Sequence, residues 1–142
     1  MSEKNAVAVR WEVLPDPARS TERIAAGLLA VNRDTAEYGL VLSPDEARDL
    51  AEVRTYELAD TRRVEFGESV LPDLARGFAA SPYVGRQSWY ETLERLVGIF
   101  FRLKDETYDR IGDAELIALM REAFDGPAHG SVDLLEAREL DI

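Results

Sequence analysis

The sequence predicts a mainly α-helical fold, a compact bundle of five to six helices around a central helix at about residues 88–107. Apolar residues recur at intervals of three and four along most of the chain after residue 20, which is the spacing of one helix face. Capping residues, prolines and glycines separate these stretches. The stretch from Trp89 to Leu103 is apolar around so much of its circumference that it needs neighbours on several sides.

The N-terminal segment departs from this helical pattern. Apolar residues alternate there with less apolar ones, the two-residue period of a half-buried strand: Val7, Val9, Trp11 and Val13. We therefore predict a short N-terminal β-strand. A single strand needs a pairing partner, which "RVEF" at 63–66 or the same strand of a second subunit would supply. The alternative is that the segment is merely extended and has no partner.

Two helices are predicted next. The first runs from about 21 to 38, between Ser20, a residue type favoured at helix N-caps, and Gly39, which readily takes the left-handed cap conformation. The second begins at "SPDE", residues 43–46, which combines a capping box with proline at the first helical position. Its apolar spacing continues to about residue 60.

The remaining helices have weaker boundary signals. A short helix follows Ser69, since its Pro72 falls in the first turn, where proline is tolerated. After the central helix, a further helix begins with Asp113 as its predicted N-cap and ends at Gly126. Ser131 caps a last short helix.

Composition limits the chemistry available to the chain. Its 142 residues fit one domain, 1–142, with a strand and proline-containing lead-in at 1–19 and a helical core at 20–142. The absence of cysteine excludes disulfides and thiolate chemistry, and a single histidine disfavours zinc. A net charge of −11 repels nucleic acid and anionic lipid, and the N-terminal stretch has neither a signal-peptide nor a membrane-span pattern. We therefore expect a cytoplasmic protein that has no cofactor and binds neither nucleic acid nor membranes.

Acidic residues cluster after the central helix, where Asp105, Asp109 and Asp113 are spaced four apart. Calcium and magnesium prefer such oxygen ligands. A calcium loop starting at Asp105 would need glycine at its sixth position and glutamate at its twelfth, but Arg110 and Leu116 stand there. We predict no metal site and expect these acids to face solvent at the helix ends.

The residues around "VEFG" form a first candidate site. Glu65 and Glu68 flank Phe66 in a turn-like setting, with Arg63 close in sequence. Such residues either form a structural ion pair or line a small-molecule pocket in which two carboxylates exchange protons. The pocket hypothesis requires the two glutamates to converge in a cleft beside Tyr83.

The segment "SPYVGRQSWY" is a second candidate site. Its residue types are those that dominate binding hot spots: Tyr83, Arg86, Trp89 and Tyr90. The alternative is that Trp89 and Tyr90 anchor the central helix in the core. No catalytic residue is predicted, because no stretch matches a nucleophile motif or a phosphate-binding loop.

Four stretches of the chain resemble a family of uncharacterised bacterial proteins, classed as a domain of unknown function: "NRDTAEYGLVLSPDEARDL", "RRVEFGESVLPDLARGFAASPY", "YETLERLVGIFFRLKDETYDRIGDAELIALM" and "HGSVDLLE". The resemblance covers about residues 21–137. It implies a helical fold without an assigned activity, so no functional residue is transferred from the family to this chain.

The function predicted from the sequence is that of a non-enzymatic protein-interaction module. Its partner is an unknown protein or a second copy of the chain, forming a homodimer. The missing catalytic signature, the acidic charge and the aromatic segment motivate this hypothesis. The alternative is a small-molecule-binding protein or enzyme with a site formed by the "VEFG" and "SPYVG" segments.

Overall fold

The computed structural model describes residues 17–65 and 68–138, which form helices joined by short connections. No strand occurs in these two ranges, so the prediction of a mainly α fold is confirmed. The predicted N-terminal strand lies outside the described residues. The helices are α1 Pro17–Ala30, α2 Asn32–Thr35, α3 Pro44–Asp60, α4 Leu71–Ala79, α5 Trp89–Glu106, α6 Asp113–Asp125 and α7 Val132–Ala137, with 3₁₀ turns at Ala36–Tyr38 and Arg86–Ser88.

The first predicted helix is interrupted after Ala30. The side chain of Asn32 causes the chain to fold back, because its Nδ2 donates to Leu42 O and its Oδ1 accepts from Leu42 N, both at 2.9 Å. Thr35 Oγ1 donates to Leu40 O at 2.5 Å. These bonds hold the segment at residues 40–42 against the end of the helix. The predicted end at Gly39 is confirmed, with φ of 76°.

Helix α3 begins as the sequence predicts. Glu46 N donates to Ser43 Oγ at 3.1 Å and Ser43 N donates to Glu46 Oε1 at 2.9 Å, which completes the capping box. The helix packs against both α1 and α5. Its inward residues, Ala47, Leu50 and Ala51, are at most 1% exposed.

Helix α5 is the central helix that the sequence predicts. It packs against α3, α4 and α7, and its apolar residues belong to one continuous core among the described residues. Eight of its apolar side chains are at most 5% exposed: Trp89, Leu93, Leu96, Val97, Ile99, Phe100, Phe101 and Leu103. Burial of each such side chain contributes roughly 1.5–3 kcal/mol, so α5 supplies a large part of the folding free energy.

The starts of the later helices correct one prediction and confirm another. Asp113 is the first residue of α6 and Gly112 occupies the N-cap, so the predicted Asp113 cap is wrong. The carboxylate of Asp113 instead binds Lys104 Nζ at 2.8 Å. The predicted Ser131 cap is confirmed, because Ser131 Oγ accepts from Leu134 N at 3.1 Å. Across the described part of the chain, no helix has both the length and the apolar character required to cross a membrane.

Candidate functional site

Helices α3 and α5 lie side by side and run in the same direction. Glu57 of α3 faces Gly98 of α5, where an added methyl group would lie 3.5 Å from Glu57 Oε2. Beyond the two helix ends, Arg63 forms an ion pair with Asp109. The contact further along the chain from α3 is therefore also further along from α5, as expected for parallel helices. Both helices end on the same side of the molecule.

The two helix ends have the same construction. After α3, Arg63 N donates to Leu58 O at 2.8 Å; after α5, Asp109 N donates to Lys104 O at 2.9 Å. These are the long hydrogen bonds of a Schellman cap. The preceding residues, Arg62 and Tyr108, take the left-handed conformation with φ of 57° and 54°. Glycine usually fills that position, so each helix ends at a conformational cost.

The two caps bring four charged side chains together. Lys104 is 8% exposed, and its ammonium group donates to Ile111 O at 2.8 Å. The same group lies 2.8 Å from Asp113 Oδ1 and 3.7 Å from Asp109 Oδ1. Asp109 also holds Arg63. A buried ammonium group needs such acceptors, and the network joins the ends of α3 and α5 to the start of α6.

Glu65 has a structural role in a second ion pair. Its Oε1 accepts from Arg54 Nε at 2.5 Å, and its Oε2 accepts from Val70 N at 3.0 Å, at the start of α4. The Arg54 and Glu65 side chains are each 12% exposed. The interpretation of Glu65 as an ion-pair residue therefore fits the structure, although its partner is Arg54 rather than Arg63.

A cavity of about 280 Å³ lies between these elements, and we call it the end cavity. Both glutamates of the first candidate site line it together with Arg63. Tyr83 is not among its described lining residues, which are Leu58, Arg63, Val64, Glu65, Glu68, Phe100, Phe101, Lys104, Asp109 and Asp113. The cavity therefore unites the described "VEFG" residues but not the "SPYVG" segment. Phe66 lies outside the described residues.

Two apolar side chains beside the end cavity are turned toward solvent. Val64 lines the cavity and is 69% exposed, and Tyr108, next to Asp109, is 84% exposed. A bulky residue with φ of 54° is a conformational outlier. Tyr108 therefore strains the backbone while burying little of its own surface. Folding alone does not explain a tyrosine at this position.

Replacing Tyr108 with asparagine is expected to stabilise the protein. Asparagine tolerates the left-handed conformation, so Tyr108→Asn should raise the free energy of unfolding by about 1 kcal/mol. Urea denaturation measures this change. Tyr38→Asn is the control, because Tyr38 is also exposed, at 50%, but does not have a positive φ. A loss of stability in Tyr108→Asn, or an equal gain in both variants, would contradict the explanation.

The residues of the second candidate segment are divided between the core and the surface, with Tyr83 46% exposed. Trp89 is 2% exposed and lies in the core, so its predicted place on a partner surface is wrong. Tyr83 packs edge-on against Phe124, with ring centroids 6.4 Å apart. Tyr90 is half-buried and donates to Glu94 Oε2 at 3.2 Å. Arg86 is exposed in the turn before α5.

A second concave surface, which we call the side groove, runs between α3 and α5 and is closed at one side by α7. Its volume is about 460 Å³, and its lining residues are Val53, Tyr56, Glu57, Glu94, Arg95, Gly98 and Glu136. Burial, and then the negative charge of Asp60, raise the pKa of Glu57 above its usual value. Sequence reasoning did not find this groove, which depends on the parallel pairing of α3 and α5.

The raised pKa of Glu57 predicts a pH-dependent stability difference. Because the folded state binds the Glu57 proton more tightly than the unfolded state does, this contribution to stability is present at low pH and is lost as pH rises through the folded pKa. Glu57→Gln should therefore stabilise the protein at pH 7, by at most about 1 kcal/mol because the groove is open to water. The gain should vanish below about pH 4, near the ordinary pKa of glutamate.

Urea denaturation of wild type and Glu57→Gln across this pH range checks the expectation. Glu37→Gln is a control for the change in net charge, since Glu37 is exposed and lies in the turn before Gly39. A stability gain that is independent of pH, or one that Glu37→Gln reproduces, would show that Glu57 is not responsible.

The described residues do not form a metal centre. Within residues 17–65 and 68–138, no group of three or more His, Asp or Glu side chains is arranged to hold a metal ion. The acids after α5 act instead as ion-pair partners: Asp109 and Asp113 bind Lys104, while Glu106 lies 3.5 Å from Arg102.

A family model described as "Family of unknown function (DUF6323)" matches residues 27–142. The chain belongs to this family. The match confirms the predicted resemblance to a family of unknown function, and it includes every helix from α2 onward, together with the end cavity and the side groove. Neither the curated proteins nor the solved structures contain a significant match to the chain. The family has no assigned activity, so only the geometry of the two surfaces points to a function.

Proposed function

We propose that this member of the family is a non-enzymatic module that binds another protein through the surface around the end cavity. Tyr108 is the observation that carries the proposal. It is 84% exposed, and its backbone conformation costs about 1–2 kcal/mol relative to an ordinary one. Strained residues occur most often where function requires them, and tyrosine is among the residue types that dominate binding hot spots.

The charges around Tyr108 suit recognition better than proton transfer. Glu65, Arg63 and Lys104 each have an oppositely charged partner within the fold. These pairs fix the side chains in one arrangement before a partner arrives, which lowers the entropic cost of binding. A rigid rim beside the exposed Val64 and Tyr108 side chains is the arrangement expected of a binding surface.

The test first recovers the proteins that bind wild type and Tyr108→Asn in a lysate of the source cells. The affinity of each recovered partner for the two proteins is then measured. We expect the affinity of the true partner to fall about tenfold in Tyr108→Asn, a loss typical of a hot-spot residue. Tyr38→Asn is the matched control and should bind as wild type does. If all recovered partners bind the two variants equally tightly, the proposal is wrong.

The same variants also test whether the partner is a second copy of the chain. Sedimentation equilibrium of the purified protein would show a dimer whose dissociation constant rises in Tyr108→Asn and not in Tyr38→Asn. If both variants dimerise as tightly as wild type, the subunit contact lies elsewhere and Tyr108 does not mediate self-association.

The small-molecule alternative has one observation in its favour, since the end cavity brings Arg63, Glu65 and Glu68 to one place. Glu68 is exposed, whereas Glu65 is already bound by Arg54 and by the start of α4. A ligand in this cavity would raise the melting temperature of wild type and would lose that effect in Glu68→Gln. A screen in which no compound distinguishes the two proteins would eliminate this alternative.

A further inference from the structure

The side groove combines a concave shape with an uncompensated negative charge. Three carboxylates line it, from Glu57, Glu94 and Glu136, against one guanidinium group. That guanidinium, from Arg95, is already bound to Asp133 Oδ1 and Glu136 Oε1, both at 2.8 Å. Among the described lining residues, no cation remains available to Glu57 or Glu94.

Two side chains in or next to the groove have raised pKa values. The pKa of Glu57 is raised by burial and then by Asp60. The pKa of Tyr90 is raised to about 12 by burial, by its hydrogen bond and charge interaction with Glu94, and by the charges of Asp49 and Glu91. Burial is the larger cause of both shifts, and the groove carboxylate of Glu94 adds to the shift of Tyr90.

The groove also offers an apolar contact area between its acids. Tyr56 is 78% exposed, and Val53, three residues earlier on the same face of α3, is half-buried. On the α5 side, Gly98 has no side chain to fill the space that it shares with Glu57. An apolar side chain from a partner fits against Tyr56 and Val53, with charged neighbours reaching Glu57 and Glu94.

We propose that the side groove binds a basic segment of a partner protein, in which an apolar side chain lies between lysines or arginines. Charge complementarity selects this occupant, because the chain carries a net charge of −11 and the groove residues are mainly acidic. A second copy of the chain is a poor occupant, since a symmetric contact would place the same carboxylates against each other. The proposal concerns a surface other than the end cavity and does not depend on the role of Tyr108.

The test uses a defined probe, a fluorescent amphipathic peptide of leucine and lysine, and the same peptide with glutamine in place of every lysine. Binding to the full-length protein is measured by fluorescence anisotropy at physiological salt. We expect only the lysine peptide to bind. Tyr56→Ala and Glu57→Lys should each weaken its affinity about tenfold, the usual effect of losing one hot-spot contact.

Glu37→Lys separates groove binding from general attraction to an acidic protein. It makes the same change in net charge as Glu57→Lys on an exposed residue outside the groove. Because salt screens charges over about 8 Å under physiological conditions, Glu37→Lys should weaken the affinity for the lysine peptide by only about twofold. The largest amide shifts that the lysine peptide causes in the NMR spectrum should fall on Val53, Tyr56 and Gly98.

Several results would overturn the proposal. These are an equal loss in Glu37→Lys and Glu57→Lys, equal binding of the glutamine peptide, no binding of the lysine peptide, or amide shifts concentrated away from α3 and α5. A dimer that dissociates in Tyr56→Ala would also overturn it, by showing that a second copy occupies the groove. None of these results depends on Tyr108, so the proposed function is judged separately.

Discussion

Gly130→Ala is expected to lower the free energy of unfolding by roughly 2–4 kcal/mol. Gly130 has φ of 79°, a conformation that L-residues adopt at a cost of about 1–2 kcal/mol. A methyl group at this position would also collide with the Cβ and the ring of Tyr83. Gly130 N donates to Phe124 O at 2.7 Å, so the backbone cannot move aside without losing the turn after α6.

A double-mutant cycle separates these two costs. Tyr83→Gly removes both the Cβ and the ring that cause the collision but leaves residue 130 in the left-handed conformation, so Gly130→Ala should cost only about 1 kcal/mol in that background. Urea denaturation of the four proteins gives the coupling energy. If the cost of Gly130→Ala is the same with and without the Tyr83 ring, the contact between the two residues does not limit the turn.

The second large effect is expected at Glu65. Glu65→Gln should destabilise the protein by about 3 kcal/mol, because it leaves the Arg54 guanidinium without its counter-charge in a site where both side chains are 12% exposed. The exposed pair of Arg48 and Glu22, 3.3 Å apart, is the control. Its side chains are 51% and 65% exposed, so Glu22→Gln should change stability by less than about 1 kcal/mol.

A second variant identifies the cause of the loss at Glu65. In Arg54→Met with Glu65→Gln, the unpaired cation is gone and the glutamine still accepts the hydrogen bond from Val70 N. We expect at least half of the lost stability to return, measured by the same urea denaturation. Failure to recover any stability would indicate that the carboxylate acts mainly on the start of α4 and not on Arg54.

The parts of the fold that the sequence predicts are those with local signals. The start of α3 is contained in four consecutive residues, and its capping box forms as expected. The central position of α5 follows from apolar residues on most of its circumference, a pattern that only a surrounded helix can use. Side chains that bond across several turns have no such local signal, so the bonds of Asn32 and Thr35 to the segment at residues 40–42 were not predicted.

The candidate sites were harder to predict because they depend on pairs of distant residues. Glu65 binds Arg54, eleven positions earlier, since the chain folds back after α3. Residue type also predicted a surface role for Trp89, but it does not indicate which way a side chain points. One available signal was missed: threonines at the ends of α3 and α5, Thr61 and Thr107, each donate to the carbonyl four residues earlier and precede a left-handed residue.

The parallel arrangement of α3 and α5 affects how the chain assembles during synthesis. The two helices become neighbours only after residues 61–88 have carried the chain back to the starting end of α3. Until α5 leaves the ribosome, α3 lacks the helix that covers one of its apolar faces. A nascent chain that pauses before α5 has left the ribosome would therefore expose this apolar face of α3 to chaperones. Once α5 has emerged, it packs on α3 and covers the face.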